Sequence, residues 1–157
     1  MVIGWGYIGR VWERPVFIAY VRTSRYTSEL IDSNPEFTVN VPVNGFTKEA
    51  FALCGSKSGR DMDKISMAGL SLVEPEVISV PAIKEFPLTL ECRVVSFENG
   101  MLIGEVVNMS ADQSILDAEG KVDLTKLKPI VFDAAAMCYR ALGDSVGNAW
   151  GAGKKFQ

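Results

Sequence analysis

The 157-residue chain has a net charge of −3, with 48% hydrophobic and 22% charged residues, as expected of one ordinary globular domain spanning residues 1–157. This balance provides no bulk attraction for DNA, RNA or an anionic membrane surface, and no uncharged apolar run approaches the about 20 residues that a membrane-spanning helix needs. Histidine is absent, which excludes Ser-His-Asp and Cys-His catalysis and imidazole-built zinc sites, so a bound cofactor would have to carry any redox chemistry.

The number and spacing of the cysteines indicate the redox environment of the protein. Cys54, Cys92 and Cys138 are odd in number, lie far apart and form no Cys-x-x-Cys motif. This pattern suits a reducing compartment, and the N-terminal segment lacks the basic region and cleavage site of a signal peptide. We therefore expect a cytoplasmic protein.

The first part of the chain predicts a strand followed by a short helix. Pro15 precedes VFIAYV, a β-branched and aromatic run that is typical of a buried strand and should end near Arg22. TSELIDSN then predicts a helix, with Thr27 or Ser28 as its N-cap and Asn34 before a proline as its end.

The pattern continues with short elements and then becomes β. A strand is predicted over 37–43, a helix ending at Gly55 and a further helical turn ending at Gly69. Asn99-Gly100, between two β-like runs, is the strongest hairpin signal in the chain. Because the helices are too short to serve as βαβ crossovers, the sequence predicts a mainly β fold, a β-barrel with short inserted α-helices.

The segment VRTSRYT concentrates anion-binding side chains between the predicted strand and helix. Arginine offers a planar fork of donors, serine and threonine offer hydroxyls, and the helix start adds unpaired backbone N–H groups. These groups would form a phosphate cradle. The more common origin of such a segment is an ordinary helix cap with solvated arginines.

Two further segments have the same ambiguity. CGSKSGRDMDK combines basic and hydroxyl side chains with glycines that allow close backbone approach to an anion, but it is not a Walker A loop and is also typical of a polar surface loop. IGWGYIGRVW carries two tryptophans that are suited to the edge of a planar ligand, or to simple core packing.

Taken in order, these segments resemble one family. MVIGWG, W-x-x-P-V-F-I-A-Y-V-R-T-S-R-Y-T, F-T-V-N-V and C-G-S-K-S-G-R-D-M-D-K are similar to the flavin reductase-like, FMN-binding split-barrel family, in particular to its flavoredoxin-type branch. The later PLTLECRVVSF, GEVVNMSAD and GKVDLTKLKPIVFD follow the same order. The resemblance implies a homodimeric split barrel that binds FMN without a covalent link.

The resemblance also implies which residues bind FMN. The phosphate and ribityl chain would be held by Ser24, Arg25, Tyr26 and Thr27, and the phosphate end would be closed by Ser56, Lys57, Ser58 and Lys64. The backbone at Val2, Ile3, Gly4 and Trp5 would follow the isoalloxazine edge, and Trp150 would cover the ring. No metal site and no separate catalytic side chain is expected.

The resemblance leaves two questions open. Members of the family carry a strand before the segment that matches Met1, so this domain is expected to lack an N-terminal strand and to have an open sheet edge. The expected activity is two-electron transfer from NAD(P)H to flavin and on to an acceptor. The alternatives are a flavoredoxin-like electron carrier that docks a redox partner protein, and a non-catalytic FMN-binding protein.

Overall fold

The computed structural model describes residues 1–43 and 48–147. Strands dominate, and the helices between them are short, as the sequence predicts. The strands are β1 (Gly6–Val11), β2 (Arg14–Tyr20), β3 (Glu36–Asn40), β4 (Leu72–Val73), β5 (Ala82–Ile83), β6 (Leu88–Glu98), β7 (Met101–Ala111), β8 (Ile130–Asp133) and β9 (Cys138–Ala141). The helices are α1 (Tyr26–Ser33), α2 (Lys48–Ser56), α3 (Lys64–Met67) and α4 (Leu124–Leu127), with a 3-10 turn at Gln113–Ile115. Within the described ranges, no helix is long and apolar enough to cross a membrane.

The main sheet is antiparallel and has the strand order β1-β2-β7-β6-β3. Its central strands, β6 and β7, have 11 residues each. The pairing between them shifts register at two points, after Glu91 and after Val94. Val43 bridges Pro129, and the Ile130 N–H donates to the Pro42 carbonyl at 3.2 Å. The β8–β9 hairpin therefore adjoins the β3 side of the sheet and extends it towards a barrel.

The strand β1 is an element that the sequence did not predict. It pairs with β2 along its whole length, although two of its six residues are glycines, which weaken the local strand signal. Trp5 is 56% exposed and Trp12, at the tip of the hairpin, is 94% exposed. Core packing, one of the two interpretations of these tryptophans, is therefore wrong.

Two predicted helix boundaries also differ from the structure. The N-cap of α1 is Arg25, so Thr27 and Ser28 lie inside the first turn and neither is the cap. Helix α2 continues through Gly55 to Ser56, because the glycine keeps a helical conformation there. The predicted end of α1 is confirmed, since the Asn34 N–H donates to the Leu30 carbonyl at 2.9 Å.

The predicted hairpin is confirmed at Asn99-Gly100. Both residues have positive φ angles, 51° and 80°, as a type I′ turn requires. The Gly100 carbonyl accepts from the Val21 N–H at 2.8 Å, so the turn is also fixed to the end of β2.

Gly100→Val is expected to destabilise the fold by about 1–2 kcal/mol, because a β-branched residue is strained in the left-handed region. A Cβ at this position would also lie 3.1 Å from the Val21 carbonyl oxygen. Urea unfolding of the variant measures the loss. Gly9→Val is the matched control, since a Cβ at Gly9 would meet no described atom within 4 Å; equal stabilities of the two variants would contradict the turn assignment.

The core lies between the main sheet and α1. Its buried cluster is packed against Phe17 and Phe37 and consists of Ala19, Val21, Ile31 and Leu102. The ring of Phe37 crosses directly over Gly104 of β7, where a Cβ would lie 2.4 Å from the ring atom Cζ. This contact requires a glycine.

Gly104→Ala is expected to destabilise the protein by about 2 kcal/mol, because the added methyl group forces the Phe37 ring out of its packed position. Thermal unfolding followed by near-ultraviolet circular dichroism measures this loss. The control is Gly9→Ala, which adds the same methyl group in an open position. A melting temperature of Gly104→Ala equal to that of the control would contradict the described packing.

The segment 75–83 lies against β6, a contact that the sequence did not predict. The carboxylate of Glu91, 2% exposed, accepts hydrogen bonds from the backbone N–H groups of Glu76, Val77 and Ile78 at 2.8 to 3.0 Å and from Asn108 Nδ2 at 2.9 Å. The Asn40 Oδ1 atom similarly accepts from the Ile83 N–H and the Thr89 hydroxyl. These bonds attach an irregular segment to the sheet.

Candidate functional site

The strand–helix loop, residues 21–25, places two arginines beside one cleft. The loop turns sharply, since the Arg25 N–H donates to the Arg22 carbonyl at 2.9 Å. Arg25 caps α1 with its backbone but makes no side-chain capping hydrogen bond. Within the described part of the chain, no ion pair or hydrogen bond engages either guanidinium. Both side chains are therefore available to an anion.

The cleft has a volume of about 220 Å³. It combines the two guanidinium groups with aromatic rings and the N-terminal segment, and is lined by Met1, Val2, Ile3, Gly4, Trp5, Tyr20, Arg22, Arg25 and Phe132. Gly4 lies against the ring of Phe132, where a Cβ would approach Cδ1 to 3.2 Å. Phe132 in turn contacts the Tyr139 ring, with centroids 5.8 Å apart, so the β8–β9 hairpin supports one wall.

The glycine loop, residues 55–60, is fixed by hydrogen bonds of its own. Lys64 Nζ donates to the carbonyls of Cys54 and Lys57, both at 3.1 Å, which leaves one of its three N–H groups. The Ser58 hydroxyl accepts from the Arg60 N–H at 3.2 Å. Asp63 caps α3, and hydrogen bonds from the Ser66 side chain and backbone lower the pKa of its carboxyl group.

The two loops meet at the first turn of α1. The Arg60 guanidinium forms an ion pair with Glu29, and its Cζ atom lies 5.1 Å from the centre of the Tyr26 ring. A Cβ at Gly59 would lie 3.4 Å from the same ring. Near the end of α2, a Cβ at Gly55 would lie 3.8 Å from Val2. The strand–helix loop, the glycine loop and the N-terminal segment are thus neighbours.

The structure brings five of the thirteen predicted site residues together in the cleft. Val2, Ile3, Gly4, Trp5 and Arg25 line the cleft. The others lie outside its lining, Ser24 in the strand–helix loop, Tyr26 and Thr27 in the first turn of α1, and Ser56, Lys57, Ser58 and Lys64 around the glycine loop. The Ser56 hydroxyl donates to the Ala52 carbonyl. Trp150 lies outside the described residues.

Sequence reasoning missed four residues of the cleft, which are Met1, Tyr20, Arg22 and Phe132. Arg22 belongs to the segment VRTSRYT, which was predicted to form a phosphate cradle, but it was not among the residues assigned to FMN. Tyr20 ends the same strand with 51% of its surface exposed. Phe132 is more than a hundred residues away along the chain, and no local pattern could have assigned it to this cleft.

The thiols offer little nucleophilic chemistry. Burial, and then the neighbouring Glu91 carboxylate, raise the pKa of Cys92 to about 12, so this residue stays a neutral thiol at physiological pH. Cys54 and Cys138 are half-buried, and all three cysteines are free. None of the three cysteines is among the residues that line the cleft.

Comparisons with known proteins agree with this fold. A family model, the flavin reductase like domain, matches residues 12–138. An uncharacterized protein of Archaeoglobus fulgidus is 37% identical over 105 residues, 64% of this chain and 58% of its own length. The matched segments span between 52% and 60% of the curated relatives.

Two solved flavoredoxins are similar over almost the whole chain. The flavoredoxin of Desulfovibrio vulgaris (Miyazaki F) is 28% identical with a TM-score of 0.91, covering 98% of this chain and 84% of its own. The flavoredoxin of Methanosarcina acetivorans is 31% identical with a TM-score of 0.87, covering 100% and 84%. The predicted mainly β, split-barrel fold is confirmed. The chain belongs to the flavin reductase like domain family.

Proposed function

We propose that the protein is an FMN-binding flavoprotein of the flavin reductase and flavoredoxin type. The observation that carries the proposal is the cleft at the start of α1, in which two arginines, neither of them paired with a described residue, stand beside aromatic rings. Membership of the flavin reductase like domain family supports a flavin as the ligand. A single terminal phosphate distinguishes FMN from riboflavin, and the arginines give that phosphate a partner.

The donor set fits a phosphate monoester. Two guanidinium forks offer charge-assisted hydrogen bonds. The first turn of α1 has no side-chain cap and offers backbone N–H groups with a partial positive charge. The hydroxyls of Thr23 and Ser24 belong to the same loop. The site therefore has the cations and the directed donors that a dianion requires.

Each predicted residue has a role in this proposal. Ser24, Arg25, Tyr26 and Thr27 hold the phosphate and ribityl chain, Ser56, Lys57, Ser58 and Lys64 close the phosphate end, and Val2, Ile3, Gly4 and Trp5 follow the ring edge. Trp150 covers the ring. Arg22 and Phe132 are added from the cleft, Arg22 towards the phosphate and Phe132 as a wall beside Gly4.

Bound FMN would supply two-electron redox chemistry, with NAD(P)H as hydride donor. The chain lacks the G-x-G-x-x-G fingerprint after a strand, so we propose that the nicotinamide is held only transiently. The protein's own part is to bind the phosphate, fix the ring and restrict water. We also propose that the protein is cytoplasmic and forms a homodimer. The dimer is supported by exposed apolar side chains of β1, such as Tyr7 and Ile8, which suit burial against a second copy.

The experiment is a titration of ligand-free protein with FMN, followed by flavin fluorescence, and then anaerobic addition of NADH or NADPH to the complex. We expect saturable one-to-one binding and bleaching of the flavin absorbance by a reduced nicotinamide. Bleaching only by a reduced protein would favour an electron carrier that docks a redox partner, and no bleaching by either would favour a non-catalytic FMN-binding protein. Absence of binding would contradict the proposal.

A further inference from the structure

The glycine loop is attached to α1 through one arginine. Tyr26 and Glu29 are three residues apart in α1, so their side chains share one face of the helix. Arg60 reaches both, as an ion pair with Glu29 and over the Tyr26 ring at 5.1 Å. The planar guanidinium is the side-chain group best suited to pairing and stacking at once.

Hydrogen bonds hold the glycine loop together around Arg60. The Lys64 ammonium group joins the carbonyl of Lys57 in the loop to that of Cys54 in the last turn of α2, and the Arg60 N–H donates to the Ser58 hydroxyl. A contact that fixes Arg60 to α1 therefore also fixes the loop relative to the strand–helix loop.

Arg60 also neutralises a charge that opposes anion binding. Glu29 lies in the first turn of α1, the end of the helix at which the phosphate would be held. An unpaired carboxylate there would repel a dianion and compete with it for the helix N-terminus. With Arg60 as its partner, the Glu29 charge is compensated locally.

We propose that Arg60 is a positioning residue, which sets the spacing of the two loops around the FMN phosphate and shields the phosphate from Glu29. This inference rests on the proposed function. Because its guanidinium is already engaged by Glu29 and Tyr26, Arg60 acts through these residues and does not contact the phosphate itself.

The first arm of the test uses ligand-free protein. Hydrogen exchange of the backbone over 57–60 should become faster in Arg60→Ala than in the parent. The matched control is Arg93→Ala on β6, which removes another exposed arginine that is paired with a glutamate, Glu36 of β3. Unchanged exchange in Arg60→Ala would overturn the positioning role, whether or not FMN binds.

The second arm measures FMN affinity by fluorescence titration. Ion pairing and cation–π contact at exposed positions together give an expected loss of about tenfold in Arg60→Ala, with Arg93→Ala equal to the parent. Arg60→Glu should lose more, and Arg60→Glu/Glu29→Arg should recover affinity to within about threefold of the parent. If Arg60→Glu lost FMN affinity only because the protein was less stable, the second substitution would not restore that affinity.

The outcomes separate the two proposals. If the parent binds FMN and Arg25→Ala weakens binding, but Arg60→Ala binds as the parent does, the Arg60 inference is wrong and the proposed function stands. If the parent does not bind FMN, both are wrong. If Arg60→Ala fails to fold, the double variant Arg60→Glu/Glu29→Arg provides the test. If this double variant folds but its FMN affinity is not recovered, the inference is wrong.

Discussion

The double variant Arg22→Ala/Arg25→Ala is expected to bind FMN at least a hundredfold more weakly than the parent. Each hydrogen bond to a charged partner contributes about 1.5–3 kcal/mol, so the loss of two guanidinium groups amounts to about 3 kcal/mol or more, which corresponds to roughly two decades in Kd. Because neither side chain has a described partner within the protein, folding stability should change little. Fluorescence titration and thermal unfolding measure the two quantities.

The control for this variant is Arg14→Ala, which removes one positive charge at the other end of the β1–β2 hairpin. It should leave FMN affinity unchanged at moderate salt, since long-range attraction between exposed charges is screened there. Equal affinities of the double variant and the control would mean that the arginines of the strand–helix loop do not hold the phosphate.

Glu91→Gln is expected to destabilise the protein by about 3 kcal/mol. Each carboxylate oxygen of Glu91 accepts two hydrogen bonds, and in the variant one oxygen becomes an amide NH₂ that faces donors. Two N–H groups are then left without an acceptor, at about 1–3 kcal/mol each. Urea unfolding measures the change, with Glu98→Gln, exposed on the same strand, expected to stay within about 0.5 kcal/mol of the parent.

The contribution of Glu91 to the stability of the fold depends on pH, and the pKa of its carboxyl group gives the direction. Burial acts to raise the pKa of Glu91, but the hydrogen bonds from Asn108 and from three backbone N–H groups outweigh it, so the pKa lies below the ordinary 4.5. A depressed carboxyl pKa stabilises the fold above the unfolded-state pKa, and this contribution is lost as the pH falls through the folded-state value. The stability difference between parent and Glu91→Gln should therefore be full at neutral pH and shrink below pH 4.5. A difference independent of pH would contradict the assignment.

The sequence predicted those features that depend only on residues adjacent to one another in the chain. Asn99-Gly100 was found because a type I′ turn needs two positive φ angles, and these residues adopt them readily. The end of α1 was found because asparagine followed by proline stops a helix. The phosphate-binding role that we propose for the strand–helix loop was suggested by the sequence because its donors are adjacent there.

Features that depend on distant partners were not predictable in this way. β1 owes its strand structure to the pairing with β2, not to its glycine-containing sequence. The burial of Glu91 could not be predicted from its own strand, since its carboxylate accepts hydrogen bonds from the backbone N–H groups of residues 76–78, which precede β6 by several residues. The contacts of Arg60 with Glu29, and of Gly4 with Phe132, join residues that no local period connects.

A comparison of FMN with riboflavin is the most direct test of the central claim, that the cleft recognises a flavin by its phosphate. Both ligands carry the same ring, so the ratio of their dissociation constants isolates the phosphate. With two arginines and a helix N-terminus as partners, FMN should bind at least a hundredfold more tightly, about 3 kcal/mol. Equal affinity for the two ligands would contradict the claim, since the ring alone would then account for binding.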